Sequence, residues 1–297
     1  MAIFVKNGIM RYFIADAFAD SPFGGNPAGV VLLENGQPFP DDSLMLKIAA
    51  ELRYSETAFV QQNSRYEFTL KYFTPAAQVE LCGHATIASF SVLLNEEAVE
   101  PGSHYIAHTL AGDLKIVAGE KIMMQMAVPQ VVGTVDDTLR LREIMGMQQQ
   151  ECELLLQQKQ LMPQIVSTGL PDIIMPVSSV EALQSIAPDM DALAALSREL
   201  NVVGVHAFAI AQDGYTAHVR NFAPLYNIPE ESATGTANAA LTYYLYNNNL
   251  ISLGEKCAFL QGEVMGRPSV VATELDLHGI VYVGGNSYIL GKGELFV

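Results

Sequence analysis

Apolar positions along the chain change period several times, and each change predicts an element. RYFIADAFA, residues 11–19, alternates well enough for a strand, and GGNPAGVVLL, residues 24–33, reads as a turn and then a strand. DDSLMLKIAAEL, residues 41–52, opens on aspartate and then carries apolar residues at helical spacing, the pattern of a capped helix. SETAFVQQ (55–62) and YEFTLKYFTP (66–75) predict two strands, the second ended by Pro75, which lacks the N–H a ladder needs. TIASFSVLLNEE (86–97) predicts a helix, and the runs at 101–119 and 121–130 are strand-like and broken by glycine.

The second half repeats this programme. Helices are predicted at TVDDTLRLREIMG (134–146) and around SVEALQSIAPDMDALAALSREL (179–200), with a strand at QIVSTGLPDIIMPV (164–177) between them. Strands at GVHAFAIAQ (204–212) and YTAHVRNFAP (215–224) follow, then an acidic loop, the helix GTANAALTYYLYNNN (235–249), and strands at 269–276, 279–285 and 287–295. Two stretches match closely. FTPAAQVELCGHATIASF begins at Phe73 and FAPLYNIPEESATGTANAAL at Phe222. Both run Phe-x-Pro, a loop, then x-Gly-x-Ala into a helix, pairing Gly83 with Gly235 and Ala85 with Ala237. The recurrence of one strand–loop–helix context favours an internal duplication.

Composition narrows the partners. Of 297 residues half are hydrophobic, enough for one large or two medium domains with proper cores. Acidic residues outnumber basic ones 32 to 16, giving a net charge of −16. Such a chain is repelled by phosphate backbones and anionic lipid, which argues against nucleic-acid and membrane partners. An acidic ligand would then need a local device to hold it. Cys82, Cys152 and Cys257 form neither a C-x-x-C pair nor a disulfide framework, which suits a reducing cytoplasm. No stretch resembles a signal peptide or approaches a membrane span of ~20 apolar residues, so a cytoplasmic location is expected.

ELCGHATIAS, residues 80–89, concentrates the candidate chemistry. Cys82 and His84 sit at i and i+2 with no second ligand pair, and His104 and His108 share a strand face without further ligands, so no metal is expected. A nucleophile elbow, a Walker loop and a dinucleotide fingerprint are all missing from the sequence. What remains is proton chemistry. Glu56 alone reads as a solvent-facing glutamate, and Glu231 alone as a solvated loop carboxylate beside Glu230. Partly buried at a cleft, either would have a raised pKa and suit a general acid and base, with His84 as a shuttle. Gly83 and Gly235 open two helices at equivalent positions, where unobstructed N–H groups and the helix dipole suit a carboxylate. Taken singly, each glycine serves a tight turn equally well.

RYFIADAFADSPFGGNPAGVVL, YSETAFV, ELCGHATIAS, NFAPLYNIPEESATGTAN and QGEVMGRPS occur in that order between residues 11 and 269. Together they resemble the PhzF family of phenazine-biosynthesis-like isomerases, itself related to diaminopimelate epimerase. The resemblance implies an α+β fold of two pseudo-symmetric domains, each a barrel-like sheet wrapped around a central helix, with the active site in the cleft between halves. The expected halves are residues 1–128, to which 285–297 can return, and residues 129–284. It implies a cofactor-independent isomerase, since characterised members move a proton within a cyclic dihydro-hydroxyanthranilate, and it implies a homodimer. Carried over motif by motif, Glu56 is the general acid/base, His84 the active-site histidine and Glu231 a third catalytic group. Asn26, Ser55, Gly83, Gly235 and Thr236 line the substrate carboxylate site.

Three departures stand out. Glu231 occupies the family's usual aspartate position, Ser232 replaces a proline, and nine residues precede the usual start at Met10. Cys82 occupies the first thiol position of the epimerases, but the internal repeat places Thr234 at the second, and a hydroxyl is too weak an acid and base for that task. The main expectation is therefore a glutamate-mediated proton shift on a small carboxylate. The alternatives are an amino-acid epimerase using Cys82 with a carboxylate, and a non-catalytic carboxylate-binding protein.

Overall fold

The computed structural model describes residues 8–34, 36–147 and 161–297, and Cys152 lies outside them. The chain divides into two compact units, one formed by residues 1–124 with 284–297 and the other by residues 125–283.

In the first unit, β1 (Ile9–Ala17) pairs antiparallel with β2 (Asn26–Leu32). The tight connection requires Gly25, whose φ is +66° and whose place a Cβ could take only at 2.3 Å from the Ala17 carbonyl oxygen. Helix α1 (Asp42–Leu52), capped by the Asp41 carboxylate on the Leu44 N–H, crosses to β3 (Thr57–Gln62), which runs parallel to β2. β4 (Glu67–Phe73) returns antiparallel to β3 and pairs with the short β5 (Gln78–Val79). Helix α2 (Gly83–Asn95) follows, then β6 (Ser103–Thr109), parallel to β4, β7 (Gly112–Ala118) and β8 (Ile122–Gln125).

α2 is buried almost all round and packs on β1, β2 and β3. A helix so enclosed cannot afford unsatisfied hydroxyls. Thr86 and Ser89 donate to the carbonyls of Cys82 and Ala85 at 2.7 and 2.6 Å, and the Tyr72 hydroxyl meets Thr86 at 2.6 Å.

The second unit begins with β9 (Gln130–Thr134) and helix α3 (Thr138–Ile144) and then repeats the order of the first. β10 (Gln164–Ser167) and β11 (Pro171–Pro176) are antiparallel. α4 (Val180–Ser185) and α5 (Met190–Leu200) lead to β12 (Val205–Ile210), parallel to β11. β13 (Ala217–Ala223) is antiparallel to β12 and carries the short β14 (Ile228–Glu231). The enclosed helix α6 (Gly235–Asn247) comes next, then β15 (Lys256–Gln261), parallel to β13, and β16 (Ser269–Leu275). β17 (Val281–Gly285) returns the chain to the first unit, where β18 (Ser287–Phe296) pairs with β1. β1–β6 with α2 thus correspond one for one to β10–β15 with α6, so the duplication extends to strand direction and crossover.

Four local expectations change. The strand at 164–177 is a hairpin, because Gly169, with φ +133°, turns the chain. The helix at 179–200 is two helices: Pro188 cannot continue the first, and Asp189 caps the second through the Asp191 and Ala192 N–H groups. The acidic loop contains a short strand, Ile228–Glu231. KCAFLQ, outside the predicted elements, is the strand Lys256–Gln261.

Candidate active site

The end of α1 and the start of β3 deliver Ser55 and Glu56 to the N-terminus of α2. Gly29 allows this close approach: its N–H donates to the Glu56 carbonyl at 3.1 Å, and a Cβ there would lie 2.7 Å from the Thr57 hydroxyl oxygen. Asn26, buried, opens the same strand as Gly29. His84 Nε2 lies 3.3 Å from Glu56 Oε2 and 3.4 Å from Ser55 Oγ. Burial lowers the His84 pKa, and the nearby Glu56 charge only partly opposes this, so the ring is neutral at pH 7. Cys82 caps α2 without a side-chain hydrogen bond to it, and its sulfur contacts His84 instead. The N-cap side chain thus makes no hydrogen bond to the first-turn N–H groups of α2.

Glu56, Cys82 and His84 offer a group of three potential metal ligands that spacing along the chain does not reveal. The Cys82 sulfur lies 3.4 Å from Nδ1 and 3.8 Å from Nε2, so it sits toward the Nδ1 side of the ring. An ion on Nε2, shared with Glu56, would reach the sulfur only after the ring reorients. The arrangement fits proton transfer better than a shared metal.

In the second unit, the repeat places Thr234 as the cap of α6, again without a side-chain hydrogen bond into the helix. Its hydroxyl donates to Glu231 Oε2 at 2.5 Å. Glu230, beside Glu231 on β14, faces the other way, as strand alternation requires. It forms a two-pronged pair with Arg220, both contacts at 2.8 Å, while Arg220 also donates to the carbonyls of Leu183, Gln184 and Ile186. Glu230 is structural, and Glu231 is the carboxylate at the helix start. Thr236 accepts from Thr168 through its carbonyl at 3.0 Å, and Gly235 is buried.

The fold thus brings Ser55, Glu56, Cys82, Gly83 and His84 to one helix start, and Glu231, Thr234, Gly235 and Thr236 to its counterpart. Sequence reading missed a buried polar layer beneath Glu231. Asn221, His206, Asn238 and Gln261 are all at most 1% exposed and linked by hydrogen bonds. Asp172 is equally buried, and burial together with the Glu231 charge pushes its carboxyl up to about 8. The available signal was a polar residue on the inward face of an apolar strand, as in GVHAFAI and HVRNFA.

The geometry agrees with what the chain is similar to. The model of the phenazine biosynthesis-like protein family (PhzC-PhzF) matches residues 15–293. The chain belongs to the phenazine biosynthesis-like protein family. An uncharacterized isomerase of Clostridium acetobutylicum is 32% identical over 300 residues, covering 94% of this chain and 96% of that one. One from Bacillus subtilis is 31% identical over 283 residues, covering 91% of each. The crystal structure of a PhzF-family phenazine biosynthesis protein from Bacillus anthracis superposes with a TM-score of 0.84 at 23% identity, covering 98% of this chain and 100% of that one. A PhzF-family protein of Enterococcus faecalis gives 0.78 at 26% identity, with 98% and 100% covered. A hydroxyproline epimerase of Agrobacterium vitis shares the fold at 0.62 and 14% identity, with 99% and 94% covered. Membership in the PhzF family makes this an isomerase-type enzyme with the bipartite epimerase-like architecture. No helix among the described residues is long and apolar enough to cross a membrane.

Proposed function

We propose that this PhzF-family isomerase shifts a proton within a small carboxylate, with Glu56 as the group that removes and returns it. The observation that carries this reading is the 3.3 Å contact between Glu56 and a buried, neutral His84 at an uncapped helix start. A glutamate there can take a proton from a carbon activated by conjugation and deliver it to another carbon of the same face. The proton count and oxidation state are unchanged, so the chemistry is isomerisation without a redox partner. His84, as a neutral ring, can donate to or accept from the substrate while Glu56 changes charge.

The helix N–H groups at Gly83 are assigned to the substrate carboxylate, with Ser55 and Asn26 beside them. Glu231 is assigned a supporting catalytic role, with Gly235 and Thr236 as binding groups of the second unit. The enzyme is proposed to act as a homodimer. A second reading, an epimerase using Cys82, draws on the 3.4 Å contact of its sulfur with His84 Nδ1. Its second group would be a carboxylate, since Thr234 stands at the counterpart of the second thiol and its hydroxyl donates to Glu231.

The test is incubation in heavy water with a panel of carboxylates, including dihydro-hydroxyanthranilate, proline and trans-4-hydroxyproline. Products are analysed by mass spectrometry and chiral chromatography. Enzyme-dependent positional isomerisation supports the proton shift, and inversion at the α-carbon supports the epimerase.

A further inference from the structure

The buried polar layer of the second unit has a direction. Asn238, on the first turn of α6, donates through Nδ2 to the Thr234 carbonyl at 2.9 Å and to Gln261 Oε1 at 2.8 Å. Both its amide hydrogens are then used, so Oδ1 must be the atom facing His206 Nε2 at 3.3 Å, and that nitrogen must carry the proton. His206 is wholly buried, and burial drives its pKa down to about 3, so the ring is neutral and Nδ1 is an acceptor. Asn221 Nδ2, 3.3 Å away, supplies the hydrogen it accepts.

The same counting continues toward Glu231. Gln261 Oε1 receives Asn238 Nδ2 and, at 3.1 Å, the Thr234 N–H. Its Nε2 therefore points the other way, donating to the Glu231 carbonyl at 2.8 Å and to Thr234 Oγ1 at 3.1 Å. The Thr234 hydroxyl accepts from Gln261 and donates its own hydrogen to Glu231 Oε2, since a carboxylate oxygen only accepts. One side-chain donor of each of Asn221, His206, Asn238, Gln261 and Thr234 passes along a single path to the Glu231 carboxylate, while the Thr234 backbone N–H returns to Gln261 Oε1. Aligned hydrogen bonds in a dry interior polarise one another and hold a single arrangement.

We propose that this one-way chain, with Gln261 and Thr234 as its positioning residues, holds the Glu231 carboxylate in a fixed orientation through its Oε2. The inference rests on the assignment of Glu231 to the reaction. It gives Thr234 a task distinct from the acid and base role of the residue at the corresponding thiol position: a directed donor rather than a proton carrier. Gln261 carries the direction across the chain, because its Oε1 accepts from Asn238 and the Thr234 N–H and so turns Nε2 toward Thr234 Oγ1.

The test combines kinetics with a direct reading of polarity. Deuterium incorporation into the carboxylate panel is compared for wild type, Glu231→Gln, Thr234→Ser, Thr234→Val and Gln261→Met, each checked for folding by circular dichroism. The expected result is that Thr234→Ser stays within about threefold of wild type. Thr234→Val and Gln261→Met should lose tenfold or more in kcat with KM changed less than threefold. Thr234→Val should add no further loss in the Glu231→Gln background. Full activity of Thr234→Val beside an impaired Glu231→Gln would overturn the positioning chain and leave the role of Glu231 standing. Full activity of Glu231→Gln would overturn both. Independently of any substrate, histidine side-chain 15N spectra of the wild type should show His206 protonated at Nε2 only, and the Nδ1–H tautomer would contradict the chain's direction.

Discussion

His84 Nε2 sits 3.3 Å from Glu56 Oε2, the histidine on the first turn of a buried helix and the glutamate at the mouth of a neighbouring strand. Burial keeps the ring neutral against the pull of that carboxylate. The ring therefore brings no positive charge to Glu56 before substrate arrives. A carboxylate that is not neutralised by an imidazolium remains available as a base.

This neutrality predicts a pH dependence. The His84 pKa is lowered in the folded protein, so the ring stays neutral as pH falls through the ordinary histidine value of about 6.5. In the free-enzyme kcat/KM profile, no limb attributable to His84 should appear at 6.5, only at lower pH. Stability should follow with the sign of a depressed base. The His84 contribution is complete above about 6.5 and is lost as pH falls toward the lowered folded value, because the unfolded chain binds the proton first. Thermal unfolding of wild type and His84→Gln between pH 4 and 8 checks this, and the variant should lose less stability on acidification.

Cys82 touches the His84 ring but is not assigned a proton. Cys82→Ser is expected to retain turnover within about fivefold of wild type. Loss beyond a hundredfold in a folded variant, with iodoacetamide inactivating the wild type at the same residue, would favour the epimerase reading.

Gly29 ties strand packing to the position of Glu56. A Cβ at this residue would lie 2.7 Å from Thr57 Oγ1 and 3.2 Å from Leu52 Cδ1. Gly29→Ala should destabilise the protein by roughly 1–3 kcal/mol, as overpacking does. It should also reduce turnover, since the residue that must yield adjoins Glu56. Urea unfolding beside the deuterium assay separates the two effects.

Arg220 and Glu230 form a buried pair with two matched contacts, and the guanidinium also collects three carbonyls at the end of α4. Arg220→Met strands the Glu230 charge and should cost about 3–5 kcal/mol. Arg220→Lys loses the fork and should fall between. Equilibrium denaturation measures both, and unchanged stability in Arg220→Met would show that the pair is dispensable.

Much of this was legible in the sequence because it depends on local chemistry. The Asp41 cap, the paired helix starts at Gly83 and Gly235, and the Phe73 and Phe222 repeats all lie within short windows. The hairpin at Gly169 and the break at Pro188 were missed because apolar period alone ran through the residues that interrupt it. The polar layer was hidden for another reason. Asn221, His206, Asn238 and Gln261 come from three strands and a helix, and only strand pairing places their side chains together. Likewise, Glu56 reads as a surface glutamate until the β2–β3 register brings it to His84.

The most direct test of the central claim is the deuterium content of the carboxylate panel after incubation in heavy water with wild type and Glu56→Gln in parallel, both shown to be folded. The account predicts label at a migrated position in one compound with the wild type and a loss of at least a thousandfold in the variant. Labelling by Glu56→Gln at a rate near that of the wild type would contradict the assignment of Glu56 as the proton carrier.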